Sequence, residues 1–266
     1  RLQIPLYGAQ LDDDVIMYLG TWSGSESPYN KTCKYNPATG VFQSNDTSFN
    51  NFGIPAYAEG TEIANHIDCQ LLTALAKGND GKVYTFGYTC RWHGDELPRV
   101  FEWDPATNNW AQKASWDTPN GSMAYTEGFA ATLENGKILH GGGISGGSSD
   151  DRSRVWLYDP GADTHTLADP IPFIDGRIDA ANPVTILLDT GELYVALGGT
   201  AGSGQSRECW IFDPSKPSGQ QWTQTIDVPQ LINGNPGSGS CSAFHKLPDG
   251  KLLLFCGTGV YKATYD

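Results

Sequence analysis

DGKVYTFGY, residues 80–88, followed by RVFEWDPATNNWAQ, residues 99–112, decides the fold. A tight Asp-Gly turn leads into a short apolar strand ending at Gly87, and a second strand closes on an Asp104-Pro105 corner with Trp110 beyond it. The order returns as NGKILHGGG (135–143) with RVWLYDPGADTHTLAD (154–169), and as TGELYVALGG (190–199) with CWIFDPSKPSGQQWTQ (209–224). Weaker copies flank these: DDDVIMYLG (12–20) with CKYNPATGVFQS (33–44), and PDGKLLLFCG (248–257) with GVYKATYD (259–266). Turn glycines Gly81, Gly136, Gly191 and Gly250 lie 55, 55 and 59 residues apart. A period of that length, filled with short strands and turns, is a repeat of about four strands.

Alternation such as Val83-Tyr84-Thr85-Phe86 suits half-buried antiparallel sheet, and no segment sustains a helical period, so the class is all-β. At 266 residues and 39% hydrophobic content, one domain spanning 1–266 is expected. Seventeen basic residues against 30 acidic give a net charge of −13, with no Lys/Arg run to gather phosphates, so nucleic acid and anionic membrane are not expected partners. No apolar run approaches the roughly 18 residues of a spanning helix. The chain starts at Arg1, as a processed product would.

The cysteines point to a compartment. Cys69 and Cys90 centre on 79.5, inside the turn 78–81, and Cys241 and Cys256 centre on 248.5, inside 248–250, so each pair faces across a hairpin. Opposed cysteines on antiparallel strands come within disulfide range, and such bonds persist where the medium is oxidising. Cys33 and Cys209 both open third strands, and the sequence leaves their pairing open. Sequons at Asn30, Asn45 and Asn120 fall in expected loops. A secreted, extracellular, disulfide-bonded glycoprotein is the expectation.

The Gly turn, the di-glycine closing the second strand and the aromatic-x-Asp-Pro corner followed by Trp resemble kelch repeats, across essentially the whole chain and most clearly in its three central copies. In texture the chain is similar to the secreted galactose-oxidase-like kelch proteins of fungi. The resemblance implies a β-propeller of four-stranded blades. Five innermost strands can be placed, before the turns near Asp13, Gly81, Gly136, Gly191 and Gly250. The last blade runs out after its third strand, so the N-terminal Leu2-Gln3-Ile4 is expected to close a five-bladed ring.

In such a blade the one-two and three-four connections share one face. Here they are uniformly compact. The two-three connections and the segments leading into first strands are long and dissimilar, which is where function concentrates. On that face lie Trp22, Tyr57, Glu59, His66, Asp68, Arg91, Trp92, His93, Tyr125, Glu127, Arg177 and Asp179. Trp22, Trp92 and Trp116 fall outside the third- and fourth-strand positions of Trp103, Trp110, Trp156, Trp210 and Trp222, which are assigned to the core. An exposed Trp stacks on a sugar ring while Arg and carboxylates take its hydroxyls, so a single asymmetric carbohydrate-binding site is expected. The alternative is a carbohydrate hydrolase, lyase or isomerase: two of Asp68, Glu127 and Asp179 as acid and base or nucleophile, or His66, His93 or Tyr125 as the base of a lyase, with Arg91 or Arg177 holding an acidic sugar.

The copper radical chemistry associated with the resembled family needs a Tyr-Cys crosslink, a second Tyr and two His ligands, one adjacent to that Tyr. The five histidines include no Tyr-His dipeptide, and Phe244-His245 is the nearest approach. No cofactor is expected. Asp12-Asp13-Asp14 lacks the spaced ligands of a calcium loop, and the Gly-rich stretches lack the Lys of a phosphate loop. The partner expected is a carbohydrate or glycoconjugate, and the chain itself a monomer.

Overall fold

The computed structural model describes residues 7–10, 16–19, 32–44, 70–89, 97–107, 109–116, 128–142, 153–172, 183–196, 208–226, 241–249, 251–256 and 259–263. Every regular element among them is a strand. In chain order these are β1 Tyr7–Gln10, β2 Ile16–Leu19, β3 Thr32–Asn36, β4 Val41–Ser44, β5 Gln70–Lys77, β6 Val83–Thr89, β7 Leu97–Asp104, β8 Asn109–Lys113, β9 Phe129–Thr132 and β10 Ile138–Gly141. They continue with β11 Val155–Asp159, β12 Thr164–Leu167, β13 Val184–Leu187, β14 Leu193–Ala196, β15 Cys209–Phe212, β16 Trp222–Gln224, β17 Cys241–Lys246, β18 Leu252–Cys256 and β19 Gly259–Ala263. They form four four-stranded sheets, β1 to β4, β5 to β8, β9 to β12 and β13 to β16, and a three-stranded sheet, β17 to β19. The chain is all-β, and its sheets follow the repeat. Leu2-Gln3-Ile4 and Asp12-Asp13-Asp14 lie outside the described residues.

A connection of one length recurs at each first hairpin. The connections 11–15, 78–82, 133–137, 188–192 and 247–251 are all five residues long. Gly81, Gly136 and Gly191 each donate to the carbonyl three residues back, at 2.9–3.1 Å, and adopt φ of +79°, +82° and +83°. Such a left-handed residue after a tight turn is nearly free for glycine and strained for others, which is why the turn glycine repeats. The Asp-Pro corner is likewise local chemistry. Asn36, Asp104, Asp159 and Asp213 each turn a side-chain oxygen back onto the amide two residues on, at 2.8–3.1 Å, while proline presets the next φ.

The chain divides into two compact units, residues 1–126 with 159–165, and residues 127–158 with 166–266. In the first, β1 and β5 are neighbours; in the second, β9 neighbours β13 and β13 neighbours β17. Sheet β13 to β16 shows why its central strands read as unbroken apolar runs. Leu193, Val195, Trp210 and Phe212 join Phe129, Leu139 and Val155 on one face, while Tyr194, Ala196, Cys209 and Ile211 join Leu252 on the other. Alternate residues point to opposite faces and both faces are covered, so alternation in polarity is lost.

Successive repeats are also stitched by a recurring two-bond clamp on the N–H and C=O of one residue. In the first unit Ala114 N donates to Asp163 Oδ1 (3.0 Å), and His165 Nε2 donates to Ala114 O (3.1 Å). In the second, Asp169 N donates to Gln221 Oε1 (3.1 Å), and Trp222 Nε1 donates to Asp169 O (2.8 Å). The Trp that follows the Asp-Pro corner is therefore a clamp donor, with His165 in its place one repeat earlier. Asp163 reaches Ala114 from a left-handed backbone, φ +53°, a conformation Asp tolerates better than most residues.

Tryptophan placement needs one correction. Trp103, Trp156 and Trp210 are core residues as expected, but so is Trp116, only 4% exposed. It follows β8 and packs against Phe86 and His165, with ring centroids 6.4 and 5.6 Å away. Trp116 is thus spent on the clamp.

Candidate functional site at the irregular sheet edge

Strand register brings the variable connections to one end of each sheet. Gln70 pairs with Thr89 and Thr89 with Leu97; Phe129 with Gly141 and Gly141 with Val155; Val184 with Ala196 and Ala196 with Cys209. Tyr7, Leu19 and Thr32 line up in the same way, as do Cys241, Cys256 and Gly259. From these ends leave segments 20–31, 90–96, 142–154, 197–208 and 257–258, between second and third strands. The segments leading into β5, β9, β13 and β17 arrive there. The opposite ends carry the five connections of five residues each.

The residues singled out above fall in those segments. Trp22, Tyr57, Glu59, His66, Asp68, Arg91, Trp92, His93, Tyr125, Glu127, Arg177 and Asp179 lie outside the described residues, as do Cys69, Cys90, Asn30, Asn45 and Asn120. The strands that carry them are described. Asp68 and Glu127 stand two residues before β5 and β9, Asp179 five before β13, and Arg91, Trp92 and His93 are the second to fourth residues after β6. Glu127 and Asp179 therefore precede neighbouring first strands within the second unit.

The described rim shows how the sequence shapes this edge. Gly142 N donates to Arg154 O (3.0 Å) and Ile171 N to Ser153 O (2.8 Å). Gly141 adopts φ +142°, and a Cβ there would strike Arg154 O and stand 2.8 Å from Val155 Cα. The di-glycine at the end of the second strand thus admits close backbone approach where the third strand begins. One rim residue escaped the sequence reading: Glu208, immediately before β15, is buried and accepts from Trp210 Nε1 at 3.0 Å. Its signal was an acid aligned with Arg99 and Arg154 of the preceding repeats.

A cluster of titratable groups lies at the other end, beside the turn 78–82. Lys82 Nζ reaches Glu102 Oε1 at 2.6 Å, Lys113 Nζ reaches Glu102 Oε2 at 3.4 Å and Asp163 Oδ2 at 3.8 Å, and Tyr84 donates to Asp80 Oδ2 at 2.7 Å with Glu102 Oε2 at 3.2 Å. Burial, with help from the bond to Asp80, pushes the Tyr84 phenol far up. The hydrogen bond to Glu102 holds Lys82 above its ordinary range. These groups satisfy one another, so the cluster reads as structural.

Of the described histidines, two have side chains placed in the structure, and both serve packing. His140 is buried and stacked on Trp156 (5.9 Å, 18° between planes), while His165 holds Ala114. Burial lowers the His165 pKa, outweighing its hydrogen bond and Asp163. Among the described residues no three His, Cys, Asp or Glu side chains converge as metal ligands.

Among solved structures, the chain is similar to a fungal alcohol oxidase of the AA5 family in complex with copper, at 15% identity and a TM-score of 0.51. The match covers 98% of this chain and 60% of that one, so the chain spans less than two thirds of the oxidase's length. At that identity the likeness concerns the fold: four-stranded antiparallel sheets compatible with a kelch-like arrangement. No family model matches the chain, and no curated protein matches it.

Proposed function

We propose that the chain is a secreted, kelch-type β-propeller domain of five blades that recognises carbohydrate through one asymmetric site at its irregular edge. One observation carries the reading. Five hairpins share a five-residue turn at one end of their sheets, whereas the opposite ends carry connections of unequal length, holding Trp22, Trp92, Arg91, Arg177, Tyr57, Tyr125 and Glu59. A fold that keeps one edge uniform and diversifies the other has its binding chemistry on the second. Five blades correspond to the five sheets, and Leu2-Gln3-Ile4 supplies the strand that β17 to β19 lack. The protein takes a glycan or glycoconjugate, as a monomer, without nucleic acid or membrane insertion.

A glycan array probed with wild type and Trp92→Ala tests this. Wild type is expected to bind a restricted set of glycans and the variant to lose at least tenfold in affinity, since loss of one stacked aromatic is worth a kcal/mol or more. No binding by wild type, or equal binding by both, refutes the site.

Hydrolysis or elimination is a second reading, favoured by Glu127 and Asp179 preceding the neighbouring strands β9 and β13. With Asp68 or His66 they supply the acid and base such reactions need. Release of reducing ends or unsaturated products from a polysaccharide panel, lost in Glu127→Gln, would establish it. The copper chemistry of the AA5 oxidase is not carried over, because no Tyr-His dipeptide is present.

A further inference from the structure

Strands β17 and β18 pair in two registers. From the turn outward Lys246 faces Leu252, His245 Leu253, Phe244 Leu254 and Ala243 Phe255; the ladder then takes in one extra residue, Ser242, and Cys241 faces Cys256. The turn alone would not bring this about. Continued without a shift, its register would set Ser242 opposite Cys256 and carry Cys241 past it, because a one-residue slip exchanges the faces of a strand. The same irregularity occurs between Leu72 and Ala74 of β5, beyond the matching pair Ala74 and Phe86, whereas β9 with β10 and β13 with β14 pair without a shift. In the last sheet the two cysteines occupy the pair that this bulge creates.

The phase of the ladder is also right. Leu247 N donates to Lys251 O at 2.8 Å, and hydrogen-bonded pairs alternate outward from there. Ala243 with Phe255 is then a bonded pair, and Cys256, one residue further along β18, takes a non-bonded position; directly opposed residues of an antiparallel pair stand about 4.5–5.5 Å apart at Cα, within cystine range.

We infer that Cys241 and Cys256 form a cross-strand cystine, set in register by the bulge at Ser242, that ties together the irregular edge where the chain enters β17 and leaves β18. Two S–H bonds break and one S–S bond forms. The two electrons and two protons pass to a small-molecule disulfide such as oxidised glutathione, which leaves as two thiols. The bridge stands independently of what that edge binds.

The test is a peptide map of the full chain, equilibrated with oxidised glutathione, alkylated while folded and digested without reduction. The expected result is one species joining the Cys241 and Cys256 peptides, lost on reduction. Cys241→Ser with Ser242→Cys moves the thiol one residue into the bulge and is expected to leave both thiols alkylated. Deleting Ser242 removes the bulge but sets Cys241 beside Ala243, still opposite Cys256, so the bridge is expected to persist. Alkylation of both cysteines in folded wild type, linkage of either to Cys33 or Cys209, or a shifted variant that bridges as fully as wild type would overturn the inference.

Discussion

Tyr84 faces Glu102 between β6 and β7, whereas at the same register of the next sheet Leu139 faces Leu157. One repeat later the pair is Tyr194 and Ile211. The backbone is the same each time: identical turns, the same corner, the same cross-strand partners. Yet Glu102 is 8% exposed and held by two lysines and a tyrosine, while Leu139 sits in a core with Leu193 and Val195. The repeat therefore dictates geometry and leaves the chemistry of each sheet face open. A buried ionic network need not stabilise more than the apolar pair it replaces, because desolvation offsets most of the Coulombic attraction.

Breaking the network on one side should have the largest effect. Glu102→Leu strips Lys82 and Lys113 of their shared acceptor, and a loss of about 2 kcal/mol is expected, less than for a fully buried pair because both lysines reach solvent. Tyr84→Leu with Glu102→Leu transplants the pair of the following sheet and should recover most of that loss. Urea unfolding of wild type, single and double variants decides: a double variant less stable than Glu102→Leu would mean the second sheet needs its charges.

The two clamps give the next comparison. Trp222→Phe removes the donor to Asp169 O and some volume beside Phe212, whose ring lies 5.0 Å away. It should cost about 1–2 kcal/mol. His165→Phe removes the bond to Ala114 O while keeping a ring beside Trp116, for about 1 kcal/mol. Unfolding midpoints unchanged by Trp222→Phe would show that the clamp contributes nothing and that the Trp is mere filling.

What was legible in the sequence follows the same division. Turns and corners were readable because their causes are local: glycine at a left-handed position, an Asn or Asp oxygen folded back two residues, proline beyond it. The five first strands, and three strands in the last sheet among the described residues, followed from counting them. Trp116 was misread because its burial depends on Phe86 and on His165, the latter 49 positions away, which no local pattern announces. The cysteine symmetry was visible, but the bulges behind it were not. Both turns are symmetric about a residue and both cysteine pairs about a point half a residue away, and only an extra residue in one strand reconciles them. The rim residues could be assigned to an edge by strand direction, and to no finer position.

Titration separates the clamps with the smallest effect. His165 has a folded pKa below its ordinary 6.5, mainly through burial, so the unfolded chain takes up the proton first. Its neutral form favours folding above that value, and stability falls as the pH drops from about 6.5 toward the lower folded pKa. Trp222 does not titrate. Its partner Asp169 does: burial opposes the charge, but bonds from the Gly219 and Gln221 amides (2.6 and 3.1 Å) and the Ser218 hydroxyl (2.8 Å) outweigh it and hold the carboxyl below 3.8. That contribution is intact above 3.8 and lost as the pH falls through the folded value. Unfolding free energies measured from pH 7 to pH 3 should therefore decline in two stages, the upper one absent from His165→Phe and the lower one weakened in Asp169→Asn. A decline between pH 6.5 and 5 that His165→Phe leaves intact would assign that stage to another group and leave the first clamp insensitive to acid.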